Sequence, residues 1–180
     1  MTTKILAISG SLRSSSSNTT ILRAMMGLVA DEINISIYEG IGNLPHFNPE
    51  LDDECELLSV QDWRTRLSEA DAILFCTPEY AYGVPGVLKN ALDWIVSSGE
   101  FMHKPTAVIS ASPSPDGGDK ANSSLVQTLR VMMAKIADGA TLCIPAISAK
   151  LNDRGEITDA ETERALRSLL DILVGKIDRS

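Results

Sequence analysis

The sequence predicts an α/β domain on a doubly wound, five-stranded parallel sheet in the order 2-1-3-4-5, with helices on both faces. Two observations carry that. Five short apolar runs recur along the chain, and apolar residues at helical spacing separate them. Strands that alternate with helices pair in parallel. The turns after the first and third runs are rich in Gly, Ser, Pro and Tyr. In that strand order these turns flank the point where the winding reverses, which is where an open parallel sheet takes its ligand.

The first run is residues 4–9 (KILAIS), followed by a polar loop, residues 10–20 (GSLRSSSSNTT). Ile21, Leu22, Met25 and Val29 mark one face of the next helix. Residues 33–38 alternate apolar and polar positions, as a strand nearer the sheet edge does. A long connection, 39–56, carries the acidic run Asp52, Asp53, Glu54 and Glu56. The following helix starts near Ser59 and turns Val60, Trp63 and Leu67 inward. Residues 72–76 (AILFC) form an unbroken apolar run, suited to a strand buried on both faces. After it come the loop TPEYAYGVPG and a helix with Val87, Leu88, Ala91, Leu92 and Ile95 at helical spacing. Residues 106–110 are the fourth strand and lead into a second Pro/Gly-rich loop, 111–118. Leu125, Leu129, Met132, Met133 and Ile136 stripe the helix after it, with the two methionines as core. Residues 140–144 are the fifth strand. Thr158 to Glu161 fits a capping box, and Leu166, Leu169, Leu170 and Leu173 make the inner face of the last helix. No repeat or linker divides the chain, so residues 1–180 read as one domain.

Composition narrows the partners. Of 180 residues, 44% are apolar and 22% charged, and the net charge is -8. With a pI near 4.7, neither nucleic acid nor an anionic membrane attracts this chain. Cys55, Cys76 and Cys143 are odd in number and widely separated, which argues against a zinc site and fits a reducing cytoplasm. Cys76 and Cys143 fall in apolar strands and read as small core residues. Neither a signal peptide nor a membrane span is apparent. His46 and His103 are isolated, and the acidic run reads as a solvated loop. The helix after residue 84 is apolar around more than one stripe, which suggests that a second copy of the chain covers part of it.

Chemistry concentrates in the two loops at the reversal point. The first lies ahead of a helix N-terminus, where free N–H groups and the helix dipole favour an anion. Ser11, Ser16 and Thr19 add hydroxyls, and Arg13 is its only formal positive charge. Asn18 can cap the helix or donate to a phosphate. The loop is neither GxGxxG nor a GK[ST] loop, which argues against a dinucleotide or triphosphate and suits a phosphate monoester. In the second loop Pro78 and Pro85 fix the path, Gly83 allows close backbone approach, and Tyr80 and Tyr82 offer flat faces. A phosphate at one loop and a flat ring at the other describe a mononucleotide, and flavin mononucleotide (FMN) fits.

At these residues the sequence resembles the NADPH-dependent FMN reductases, a family that includes quinone, chromate and azo-dye reductases. Gly10-Ser11-Leu12-Arg13-x-x-Ser16-x-Asn18 is similar to its phosphate motif. Pro78-Glu79-Tyr80-x-x-Gly83-x-Pro85-Gly86-x-Leu88-Lys89-Asn90-Ala91-x-Asp93-Trp94 is similar to its isoalloxazine motif. Leu44-Pro45-x-Phe47-Asn48-Pro49, Gly117-Gly118 and Asp153-x-Gly155 resemble weaker features. Ser15 stands where the family often has Gly, and Asp119-Lys120 stand where an Arg is common.

The resemblance implies a flavodoxin-like fold and FMN as cofactor. It implies NADPH or NADH as co-substrate, a small-molecule acceptor, and assembly as a homodimer or homotetramer. By the same resemblance Ser11, Arg13, Ser16 and Asn18 hold the phosphate, and the hydroxyl of Thr19 joins them as a cofactor-binding donor. The backbone of Pro78, Glu79, Tyr80, Ala81, Tyr82 and Gly83 holds the ring edge, and Ser112 lies near the ring. The implied chemistry is hydride transfer carried by the cofactor, with no dedicated catalytic acid or base. The alternatives are a one-electron flavodoxin-type carrier and a flavodoxin-like interaction subunit without ligand.

Overall fold

The computed structural model describes residues 2–52 and 57–177; Cys55 and the acids Asp53, Glu54 and Glu56 lie outside them. Strands β1 (Thr3–Ser9), β2 (Ile33–Ile37), β3 (Ala72–Thr77), β4 (Thr106–Ala111) and β5 (Thr141–Ile144) form one sheet in the order β2-β1-β3-β4-β5. Every pairing is parallel. Helices α1 (Ser17–Met26), α2 (Leu58–Glu69), α3 (Gly86–Asp93), α4 (Asp119–Val131) and α5 (Ala160–Val174) follow the strands in turn.

Alternate residues of the central strands feed two cores, as the pleat requires. Leu6, Ile8, Ile73, Phe75 and Val108 pack with Trp63, Leu88, Leu92 and Leu125 of α2, α3 and α4. Ile5, Ala7, Leu74, Cys76 and Ile109 pack with Ile21, Met25, Leu166 and Leu170 of α1 and α5. β3 is buried at every residue, which is why its sequence is an unbroken apolar run.

Several boundaries depart from the sequence pattern. α1 stops at Met26 with Gly27 as its C-cap, so Val29 packs from beyond the helix. α4 stops at Val131, because Met133 adopts the left-handed region (φ +63°) and turns the chain. Met132 is buried as expected, but Met133 is 48% exposed and Ile136 reaches the core from outside the helix. Cys143 is exposed rather than core, since β5 is an edge strand whose outer face, Thr141 and Cys143, is uncovered. The cap of α5 is Asp159, whose carboxylate accepts from the Thr162 N–H at 2.8 Å and its hydroxyl at 2.6 Å; the capping pair is one residue later than predicted.

The surplus of apolar residues on α3 is satisfied within one chain. Trp94 and Ile95 are fully buried, and Val96 is the large apolar residue left exposed there. The helix accepts Trp63 Nε1–H on the Ala91 carbonyl at 2.9 Å, and Trp94 Nε1–H donates to the Pro45 carbonyl at 2.8 Å. Apolarity of α3 is therefore no argument for a second copy.

Candidate active site

The carboxyl ends of β1 and β3 stand side by side, with Ser9 opposite Cys76. The Gly10 N–H donates to the Cys76 carbonyl at 2.9 Å, so the first loop leaves the sheet against the base of the second. A Cβ on Gly10 would lie 2.4 Å from Thr77 Oγ1 and 3.2 Å from Leu88 Cδ2. Only glycine permits that approach.

Around the first loop, polar side chains at its two ends tie it and the start of α1 to the sheet. The Ser9 and Thr19 hydroxyls lie 2.7 Å apart, and Ser9 Oγ accepts from the Ser11 N–H at 3.3 Å. Ser11 Oγ accepts from the Arg13 N–H at 3.3 Å. Ser16 is the N-cap of α1 and accepts from the Thr19 N–H at 3.4 Å. Asn18 is buried; its Nδ2 donates to the Ala111 carbonyl at 3.2 Å and its Oδ1 accepts from Cys76 Sγ–H at 3.2 Å. Burial pushes the Cys76 thiol pKa far up, so it stays a donor. Asn18 thus neither caps the helix nor turns to the loop; it pins α1 to β3 and β4. Thr19 likewise points to β1. Ser11 and Ser16 remain near the helix N-terminus, and Arg13 is exposed with no side-chain partner among the described residues. Residues 10–20 contain no carboxylate to oppose it.

The second loop is shaped by its backbone. Thr77 Oγ1–H donates to the Pro78 carbonyl at 2.9 Å. Tyr80 and Gly83 exchange N–H to carbonyl bonds of 3.1 and 3.0 Å. Ala81 (φ +49°) and Tyr82 (φ +61°) sit between them in a type I′ geometry usually given to Asn-Gly. Each left-handed non-glycine costs about 1 kcal/mol or more. The Ala81 and Tyr82 amides make no bond among the described residues, and Tyr82 is 78% exposed. A Cβ on Gly86 would meet nothing within 4 Å, so the loop borders open space. Ser112 follows β4, accepting from the Ser114 N–H at 3.1 Å and donating to its hydroxyl at 3.0 Å.

Two features of this region were not assigned from sequence. Asn90 of α3 accepts from the Phe47 N–H at 2.8 Å and donates to the Pro45 carbonyl at 2.9 Å, clamping the 45–47 segment. An Asn and a Trp on an otherwise apolar helix face signal such partners, because buried polar groups need them. Glu79 Oε2 accepts from the Ala121 N–H at 2.9 Å, in the first turn of α4. No sequence pattern links residues that far apart.

Among the described residues no cluster of His, Cys, Asp or Glu suits a metal, and no helix is long and apolar enough to cross a membrane. A separate groove of about 540 Å³ along α4, lined by Asn122, Gln127, Arg130 and Thr141, shares no residue with either loop. The residues of the two loops fit FMN: a guanidinium and hydroxyls in the loop ahead of a helix N-terminus, and on the neighbouring loop a fixed turn whose two amides have no partner among the described residues.

The chain is 33% identical to an NAD(P)H-dependent FMN reductase of Pseudomonas aeruginosa over 172 residues, covering 94% of this chain and 92% of that one. It is 33% identical to a quinone reductase of Pseudomonas putida, covering 93% and 90%. The solved structure of FerB, a flavoenzyme NAD(P)H:(acceptor) oxidoreductase from Paracoccus denitrificans, superposes with a TM-score of 0.88 at 29% identity, covering 97% of each chain. The family model for NADPH-dependent FMN reductase matches residues 3–148. From β1 to beyond β5, then, the chain belongs to the NADPH-dependent FMN reductase family.

Proposed function

We propose that this chain, one FMN-binding domain, is an FMN-dependent NAD(P)H oxidoreductase for small acceptors such as quinones or flavins. The observation that carries the reading is that two loops leave neighbouring strands side by side, one carrying Arg13, whose side chain has no partner among the described residues, ahead of the capped N-terminus of α1, the other carrying the Ala81 and Tyr82 amides. Bound FMN would supply the hydride chemistry, accepting from NAD(P)H and passing to the acceptor. Arg13 neutralises the phosphate in a chain of net charge -8, with Ser11, Ser16 and the first amides of α1 as donors. The Asn18 and Thr19 side chains act at one remove, holding the helix that presents those amides. The backbone of residues 78–83 orients the ring edge, and Ser112 borders the ring from β4. Ala81, Gly83 and Gly86 keep one face open to nicotinamide and acceptor in turn, which makes the kinetics ping-pong.

The exposed Tyr80 and Tyr82 beside this opening suit contact with a second copy, giving a homodimer or homotetramer that light scattering would detect. The free thiols Cys76 and Cys143 suit the cytoplasm.

Titration with FMN and riboflavin tests the site. Arg13→Ala should weaken FMN by about ten-fold or more, the loss of a charge-assisted bond, and leave riboflavin nearly unchanged. Equal losses would contradict the phosphate assignment. Anaerobic mixing with NADH or NADPH should bleach the flavin directly. A flavin that stays oxidised with both nicotinamides would place the chain among one-electron carriers.

A further inference from the structure

Glu79 lies in the ring loop, yet its carboxylate faces the protein rather than the opening. α4 begins after Gly118, a left-handed residue (φ +81°) with no side chain to cap the helix. An N-cap normally accepts from the second or third helical N–H. Here Glu79 Oε2 takes the third, Ala121 N–H, at 2.9 Å, from 42 residues away in the chain. The fit is close, since a Cβ on Gly118 would lie 3.4 Å from Glu79 Cβ and 3.3 Å from Ser110 Cβ.

The anchor is itself fixed. Ser110 Oγ–H donates to the Gly117 carbonyl at 2.8 Å, and Asn122 Nδ2 donates to the Leu142 carbonyl at 3.2 Å and to Ser110 Oγ at 3.3 Å. These bonds hold the start of α4 to β4 and β5. The backbone of the turn at residues 80–83, by contrast, bonds among the described residues only to itself, through the Tyr80–Gly83 pair. That pair keeps its shape but does not set where it points.

We propose that Glu79 is a positioning residue for the flavin ring: by capping α4 from a distance, it fixes the direction in which the 80–83 turn presents its amides. The inference rests on FMN occupying the cleft as proposed above. Removing the carboxylate leaves the turn closed but able to pivot about Pro78. Ring binding then suffers while the phosphate site does not.

The experiment is titration of riboflavin and FMN into wild type, Glu79→Ala, Glu79→Gln and Glu79→Asp, with the visible spectrum of bound flavin and a thermal melt for each. Glu79→Ala should weaken riboflavin and FMN by the same factor, about ten-fold for a lost cap, and shift the flavin bands. Glu79→Gln keeps an acceptor oxygen at the same reach and should recover most of both. Glu79→Asp keeps the charge but is one methylene shorter, so it should shift the bands even if Glu79→Ala does not fold. Wild-type riboflavin affinity and spectrum in the Ala or Asp variant would overturn the proposal, as would a lowered melting temperature with ring binding unchanged. Equal losses in Gln and Ala would overturn it too. If wild type binds neither flavin, the FMN reading itself fails, and this inference with it.

Discussion

Where the loop after β1 enters α1, three polar side chains turn inward, Thr19 to Ser9, Asn18 to Ala111 and Cys76, Ser16 to the first turn of α1. The loop after β3 keeps few such ties of its own; its form comes from backbone pairing, and Glu79 reaches out to α4. The two ends of the first loop are thus part of the core, with residues 12–15 exposed between them, and the buried side chains there answer to stability before ligand. The second is an appendage with a fixed shape, and its placement depends on elements elsewhere in the chain. Substitutions at the buried positions around the first, Gly10 and Asn18, should therefore destabilise the protein, Arg13 being exposed and free of that constraint, and substitutions around the second should misplace the ligand.

The largest effect should come where the loops meet. Gly10→Val puts carbons where Thr77 Oγ1 already lies 2.4 Å from an ideal Cβ, and should destabilise by about 3 kcal/mol in urea melts of the flavin-free protein. A melt within error of wild type would mean the loops are not packed as described. Next is Asn18→Ala, which strands a buried carbonyl at Ala111 and the Cys76 thiol and should cost about 2 kcal/mol without any flavin present. Loss of FMN affinity with unchanged stability would instead give Asn18 to the ligand and erase the contrast.

Asn90→Ala should be milder, about 1 kcal/mol, because Trp94 Nε1–H still holds the Pro45 carbonyl. Its signature is faster hydrogen exchange at the Phe47 amide, which loses its acceptor. Protection at Phe47 equal to wild type would show that the clamp is not what orders the segment.

The smallest effect belongs to a residue in neither loop. The Asp159 carboxyl is held below its ordinary pKa, first by the Thr162 hydroxyl and then by the Thr162 N–H. The unfolded chain therefore takes up that proton at a higher pH than the folded one. The stabilisation is complete above the ordinary carboxylate value of 3.8 and is lost as pH falls through the lower folded value. Asp159→Asn should flatten that acid limb slightly and leave flavin titrations untouched. A change in flavin affinity would mean that α5 communicates with the site.

The sheet order was legible because each central strand is an apolar run that can only be buried on both faces. Helix ends were less so: nothing in Met132-Met133 announces that the second adopts a left-handed backbone. Cys143 reads like Cys76 until one knows that β5 lies at the edge. In the site, composition pointed to both loops, but an Asn beside three hydroxyl-bearing positions carries no mark of which way its amide turns. The capping of α4 by Glu79 needs a partner 42 residues away and could not be read locally.

The contact of Gly10 with Thr77 and Leu88 also bears on how this scaffold can be re-engineered. Those atoms come from the first loop, the end of β3 and the first turn of α3, three places that a designer would treat as separate cassettes. A loop grafted from another flavoprotein after β1 brings its own first residue. If that residue is larger than glycine, positions 77 and 88 must shrink with it. Transplants that carry residues 10, 77 and 88 together should express as folded protein, whereas single-loop transplants should yield insoluble chains, however well their ligand contacts match.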